Sequence, residues 1–286
     1  MAGIGSNSGK SYVITPKGEI SQGQSWATFF TGLWHDLKRT WHLIRLDLKQ
    51  QSFGLSLGHL WLLLEPALQA GAYYFLLTVV FAMRGSDATF AFFFVGITLW
   101  RSHSTLATSS PYFLSTKGHN YIEQGFGLKI AFLEFAAQEV LLFCVRMVVL
   151  IAFLIVAGYT PSITWLFILY VAVCMFAFSL ALSVWLAILG VLVKDSAKLI
   201  SHFVWLWWYL SPGLYSIKRI PAWAEPIFAL NPFSYIIPAA HSALLDYTVT
   251  MDHVVSNGIL CVVSLAFMWA GWRLLRRFGY ILAQYV

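Results

Sequence analysis

The chain has 286 residues, of which 59% are hydrophobic, 17% aromatic and only 10% charged, against roughly 25% charged in an ordinary soluble domain. With a mean hydropathy of +0.72 there is too little polar surface to cover a water-facing sphere, which excludes a cytosolic globular protein as well as a disordered or collagen-like chain. The net charge of +6 does not point to nucleic acid, because that reading needs a basic stripe on a water-soluble face.

The first 25 residues are rich in Gly, Ser and Lys and hold no apolar run of signal-peptide length, which predicts a flexible cytoplasmic tail. From Trp26, the residues Phe29, Phe30, Leu33, Leu37, Trp41, Ile44 and Leu48 recur at helical spacing, with Asp36, Lys38, Arg39, Arg45 and Lys49 mostly opposite. That pattern predicts an amphipathic helix in the membrane surface, over about 26–50. Runs long enough to cross a hydrocarbon core of about 30 Å follow. They are expected at 60–83, 89–110, 132–157, 163–193, 199–216 and 256–273. The stretch 223–245 is also apolar, but Pro226, Pro232 and Pro238 interrupt it. Lipid-facing helices do not tolerate repeated breaks, so 212–245 is expected to form two short re-entrant or interfacial helices. The fold class expected is therefore an all-α integral membrane protein with six transmembrane helices. The transmembrane domain covers 59–277, after an interface helix and loop over 26–58, and 278–286 is read as a cytoplasmic tail.

Six spans with both termini inside place Lys10, Lys17, Lys38, Arg39, Arg45, Lys49, Lys117, Lys129, Lys194, Lys198, Arg273, Arg276 and Arg277 on the cytoplasmic side. Arg84, Lys218 and Arg219 fall outside, and Arg101 and Arg146 lie within spans. The excess of Lys and Arg inside satisfies the positive-inside rule, and a seventh span would move the terminal Arg cluster to the wrong side.

Several stretches resemble sites of chemistry. Gly5-Ser-Asn-Ser-Gly9-Lys10-Ser11 has three residues between its glycines where a nucleotide-binding P-loop has four, and no buried strand precedes it. If the protein is powered by ATP, the ATPase is therefore expected on another chain. His42 with Asp47, and His241 with Asp246, share the spacing of a membrane acyltransferase pair. On a helix, however, His42 and Asp47 stand about 140° apart. No nucleophile elbow or metalloprotease motif is present. Cys144, Cys174 and Cys261 fall in apolar runs and read as core packing.

Ionisable groups inside spans are costly and mark a pairing or a function. Arg101 lies near the middle of the second span, with Glu139 and Arg146 seven residues apart in the third. An ion pair between Arg101 and Glu139 is the structural expectation, and contact with an anionic or hydroxylated substrate is the functional one. Glu134 is expected to be solvated near the cytoplasmic interface. His202, Trp205 and Tyr209 share one face of the fifth span, with Trp207 and Trp208 near its outer end. Such rings anchor at membrane interfaces or stack on the apolar faces of sugars.

Leu55-Ser-Leu57-Gly58-His-Leu60-Trp61-Leu-Leu-Leu-Glu65-Pro66 enters the first span directly after the amphipathic helix, and Leu230-Asn231-Pro232-Phe-Ser-Tyr235 lies between the fifth and sixth. In these two motifs, their order and the six-span plan, the chain from about 26 to 277 resembles the polysaccharide-export permeases of the type-two ABC exporters. The resemblance implies a homodimer, a second copy of this chain being one partner and a separate ABC ATPase subunit the other. ATP and Mg would bind that ATPase, with no cofactor in this chain and no catalytic or metal-ligating residues. The substrate implied is a lipid-linked polysaccharide of O-antigen or capsule type, the surroundings are bacterial cytoplasmic-membrane lipid, and no nucleic acid is involved.

The same resemblance implies that the surface helix and the loop near 111–131 touch the ATPase, through Trp34, Lys38, Trp41, Lys117, Tyr121 and Glu123. It implies that the Leu57-Gly58 loop borders the point where the lipid enters, and that Pro212, Gly213, Asn231 and Pro232 belong to a gate on the far side. Arg45, Lys49, Arg101, His202, Trp205 and Tyr209 complete the candidate path. One departure is that family members often carry several Arg or Lys just before the Leu-Gly pair, whereas only Arg45 and Lys49 stand nearby here. Complementing anionic lipid is an equally good explanation of those two. An exporter of teichoic acid, lipid or a drug with the same architecture, and an intramembrane acyltransferase, are the alternatives.

Overall fold

A computed structural model describes residues 60–82, 89–114 and 128–284. The expected surface helix over 26–50 and the Leu57-Gly58 loop lie outside them. Eight α-helices and no strands occur among the described residues. In chain order they are α1 (Trp61–Tyr74), α2 (Phe90–Phe113), α3 (Leu128–Val156), α4 (Phe167–Leu192), α5 (Ser196–Tyr209), α6 (Glu225–Ala229), α7 (Phe233–Leu244) and α8 (Met251–Gln284). A π-helical segment, Phe75–Val80, extends α1, and a 3-10 turn, Ile163–Leu166, leads into α4. By length and apolar composition, Ala131–Val156, Ile163–Leu192 and Met251–Leu275 are long enough to cross a membrane.

The second helix sits at the centre. Every residue from Ala91 to Trp100 is buried, and α1, α3, α4, α5 and α7 all pack against it. A helix surrounded by protein need not be apolar all round, which is why α2 can carry Thr98, Ser102, His103 and Ser110 fully buried. Two of the hydroxyls close back on their own helix: Thr98 Oγ1 donates to the Phe94 carbonyl at 2.7 Å and Ser110 Oγ to that of Leu106. Phe93, Ile97 and Leu99 of α2 meet Leu150 and Leu154 of α3, Met175 of α4 and Phe233, Ile236 and Ile237 of α7 in one apolar core. A Cβ on Gly190 of α4 would overlap the backbone at Pro111 of α2. Only glycine lets the two helices touch there.

The outer helices show the reverse distribution. Val255, Ile259, Val262, Val263 and Trp269 of α8 are all exposed, as are Val148 of α3 and Leu169 and Val173 of α4. An apolar exterior around a partly polar interior suits lipid as the solvent. Cys174 is buried as expected, but Cys144 is exposed on the outside of α3, where its small apolar thiol needs no packing partner.

The fifth expected span, 199–216, is corrected. Helix α5 begins at Ser196 and stops at Tyr209, giving 14 residues and a length of about 21 Å, short of a bilayer core. Pro212 lacks an N–H to continue the helix, and the chain turns instead. The following segment forms a 3-10 turn, Ile217–Arg219, then the five-residue α6 and the twelve-residue α7. Pro226 falls in the first turn of α6, Pro232 is the N-cap residue of α7, and Pro238 lies inside it. Helix α7 is buried against α2, α4 and α8. Helix α8 starts at Met251, earlier than the expected 256, and runs on to Gln284.

Candidate functional site

Asn231 explains how α5 ends inside an apolar bundle. The last four carbonyls of any helix lack partners within it, and burying them unsatisfied is costly. Here Leu210 N–H and Ser211 Oγ donate to Trp207 O at 3.1 and 3.0 Å, and Ser211 N–H donates to Trp208 O at 3.0 Å. Tyr215 Oη donates to Tyr209 O at 2.8 Å, and Asn231 Nδ2 to Leu210 O at 2.8 Å. Nδ2 also donates to Ser211 Oγ at 3.2 Å, while Oδ1 accepts from Trp207 Nε1 at 3.1 Å and from the Phe233 amide at 3.0 Å. All four hydrogen-bonding positions of the carboxamide are used. Asn231 thus ties the end of α5 to the start of α7. Pro212 and Gly213 are buried beside it, and Gly213 lies against the backbone of α2 at Gly96 and under the Trp208 ring.

The ionisable groups pair differently from the sequence expectation. Arg101 Nη2 meets Glu65 Oε1 of α1 at 2.5 Å, not Glu139. Glu139 is held by Arg146 of its own helix, also at 2.5 Å, and Arg146 donates to Ser102 Oγ at 2.7 Å. Seven residues are two helical turns, so Glu139 and Arg146 share a face, and a long Arg side chain covers the rise between them. Both are almost fully buried. The Arg101–Glu65 pair is partly open, with side chains 36% and 51% exposed. Glu134, expected to be solvated, is fully buried on α3, where it has its own polar partner.

Glu65 begins a polar ribbon. Gln69 and Tyr73 follow it at helical spacing along one face of α1, and Tyr73 lies within reach of Gln69 and Tyr209. The Tyr209 ring meets that of Trp205 edge-on at 5.3 Å, and His202 is exposed one turn earlier on α5. The structure thus links three of the candidates, Arg101, Tyr209 and Trp205, through α1, while His202 Nδ1 is bonded to the Lys198 carbonyl of its own helix. Trp205 is 59% exposed. Trp207 and Trp208 turn inward, where they pack on Trp100.

Sequence reasoning missed His103, two positions beyond Arg101. It is fully buried, with Nδ1 2.9 Å from Ser179 Oγ and rings of Trp100, Phe178, Trp207 and Phe233 around it. The rule that flagged Arg101, an ionisable group within a span, applies equally to it. His241 is also buried. Its Nε2 is 2.9 Å from Phe92 O and its ring stacks on Phe92 at 3.9 Å, so Nε2 carries a proton and donates to that carbonyl. Among the described residues no group of His, Cys, Asp and Glu forms a metal cluster. Trp34, Lys38, Trp41, Arg45, Lys49, Leu57, Gly58, Lys117, Tyr121 and Glu123, and the His42–Asp47 pair, lie outside the described residues.

An all-helical bundle with a lipid-suited exterior and a half-open ribbon of charged and aromatic side chains defines a multi-pass membrane protein. Residues 38–245 match the family described as ABC-2 type transporter, and the chain belongs to that family. It is a transporter membrane subunit and not an enzyme. Two proteins of Klebsiella pneumoniae, each called O-antigen export system permease protein RfbA, are 26% and 27% identical to it over 225 residues, covering 77% of this chain and 86% of theirs. A Myxococcus xanthus protein of the same name is 26% identical over 233 residues, covering 80% of this chain and 87% of its own.

Proposed function

We propose that the chain is the transmembrane subunit of an ATP-driven exporter that moves a lipid-linked polysaccharide, of O-antigen or capsule type, across the bacterial cytoplasmic membrane. The observation that carries this reading is the similarity, along most of the chain, to permeases named for O-antigen export. Two copies pair and dock two separate ATPase subunits, which hold the ATP and Mg. Six spans, counting α5 with the turn that follows it as one, leave both termini in the cytoplasm. The surface helix and the 111–131 loop receive the ATPase movement.

The ribbon from Glu65 and Arg101 through Gln69, Tyr73 and Tyr209 to Trp205 and His202 is the surface along which the glycan slides. Arg101 and Glu65 exchange hydrogen bonds with passing hydroxyls, and the rings of Trp205 and Tyr209 offer flat apolar faces to sugar C–H groups. Contacts of this kind are individually weak and repeat along the polymer, which suits movement better than a tight site. Asn231 holds the far end of α5 and Pro212, Gly213 and Pro232 shape the gate beside it.

Co-expression with a candidate ATPase followed by purification tests the reading. The pair is expected to co-purify and to hydrolyse ATP, and the chain alone to show no hydrolysis. Steady turnover by the isolated chain would contradict it.

A further inference from the structure

At the end of the bundle where α2 begins, a cavity of about 560 Å3 lies apart from the ribbon. Four separate stretches of chain wall it: the first turn of α2, the turn after α3, the segment following α5, and the end of α7 with the start of α8. That volume is within the roughly 300–1,000 Å3 of small-molecule sites. Among the described residues the charges on its wall are one of each sign, the Arg219 guanidinium and the Asp246 carboxylate. They are joined by two imidazoles, His241 and His253, and by the hydroxyls of Ser216 and Ser242.

This mixture selects a class of ligand. A phosphate or carboxylate would want donors and positive charge without a facing carboxylate. Sugar hydroxyls both donate and accept, so a carboxylate and a guanidinium together serve both roles. The apolar wall is supplied by Pro212, Pro238, Phe92 and Tyr159, which suit the C–H face of a sugar ring. The wall is already set. His241 is fixed by its bond to the Phe92 carbonyl and its stacking on the Phe92 ring, and a site held in place before binding loses less freedom on binding.

We infer that this cavity is a glycan subsite that takes an uncharged, hydroxyl-rich segment of about two sugar residues. It rests on the export reading, in which this end of the bundle is the outer one and the ligand is the emerging polymer. The segment that lines the cavity with Ser216 also holds the end of α5, because Tyr215 Oη donates to Tyr209 O. A bound sugar would therefore keep the emerging chain beside the far end of the ribbon and oppose its slipping back.

The test uses the purified complex of chain and ATPase, titrated with oligosaccharides of one to three repeats cut from the glycan of the same cells. Separate titrations use the free monosaccharides and inorganic phosphate. Fragments are expected to bind, and Asp246→Ala and Arg219→Ala, both exposed positions, each to weaken binding tenfold or more with thermal stability unchanged. Free monosaccharides are expected to bind at least tenfold more weakly than fragments. Fragment binding unaffected by either variant, competition by phosphate, or equal affinity for monosaccharides would overturn the assignment. A strain deleted for the chain separates the two claims: if it loses surface glycan while the fragments fail to bind, only the cavity assignment falls.

Discussion

Arg101 of α2 and Glu65 of α1 form an ion pair at 2.5 Å on a half-open face, eight residues before Tyr73 touches the aromatic end of α5. Because the pair is accessible, it is placed to exchange partners with a passing hydroxyl, unlike the sealed pair of Glu139 and Arg146. Neutralising either member, by Arg101→Gln or Glu65→Gln, is expected to slow export several-fold while the protein still inserts and accumulates. Pulse-labelled surface glycan, normalised to folded protein, gives the comparison. Export at the normal rate in both variants would assign the pair a purely structural role.

The sealed pair leads to a different expectation. Losing one partner leaves a buried charge alone, which costs about 3–5 kcal/mol, whereas replacing both by apolar groups of similar size is far less harmful. Arg146→Met alone should therefore sharply reduce the yield of folded protein, and Glu139→Leu combined with it should recover much of the loss. Thermal unfolding in detergent reads both.

Asn231→Ala strands the Trp207 Nε1–H, the Leu210 carbonyl and the Phe233 amide in buried or half-buried surroundings. With about 1–3 kcal/mol for each buried group left unsatisfied, a loss on the order of 3 kcal/mol is expected. Asn231→Asp keeps the acceptor but loses the donor to Leu210 and Ser211, so it should not restore stability. The melting temperature of the two purified variants is the measurement.

Trp205→Ala and Trp207→Ala should separate by what they damage. Trp207 donates to Asn231 and packs on Trp100, so its removal lowers stability. Trp205 is exposed on the ribbon, so its removal should leave the melting temperature unchanged and slow export per folded molecule. Equal export per folded molecule in Trp205→Ala and the parent would return Trp205 to an interface anchor.

Much of the helix order follows from the sequence, because apolar runs of span length and three prolines are strong signals. The end of α5 was less legible. The apolar run continues to Tyr215, and only the absence of an N–H at Pro212 marks where the helix stops. The partner of Arg101 was misread although Glu65 falls within the expected first span, 60–83, because its carboxylate drew notice only as part of the motif that carries the resemblance. Side-chain pairing between helices depends on their rotation, which spacing within one helix does not set. Asn231 could be singled out beside Pro232, but three of its four hydrogen bonds reach residues 20 to 24 positions away, and no local pattern encodes them.

The most direct test of the central claim is to delete the gene and follow long glycan in two places, the cell surface and the cytoplasmic lipid fraction. Export by this chain predicts loss at the surface with carrier-linked polymer accumulating inside. Unchanged surface glycan with no accumulation would contradict it.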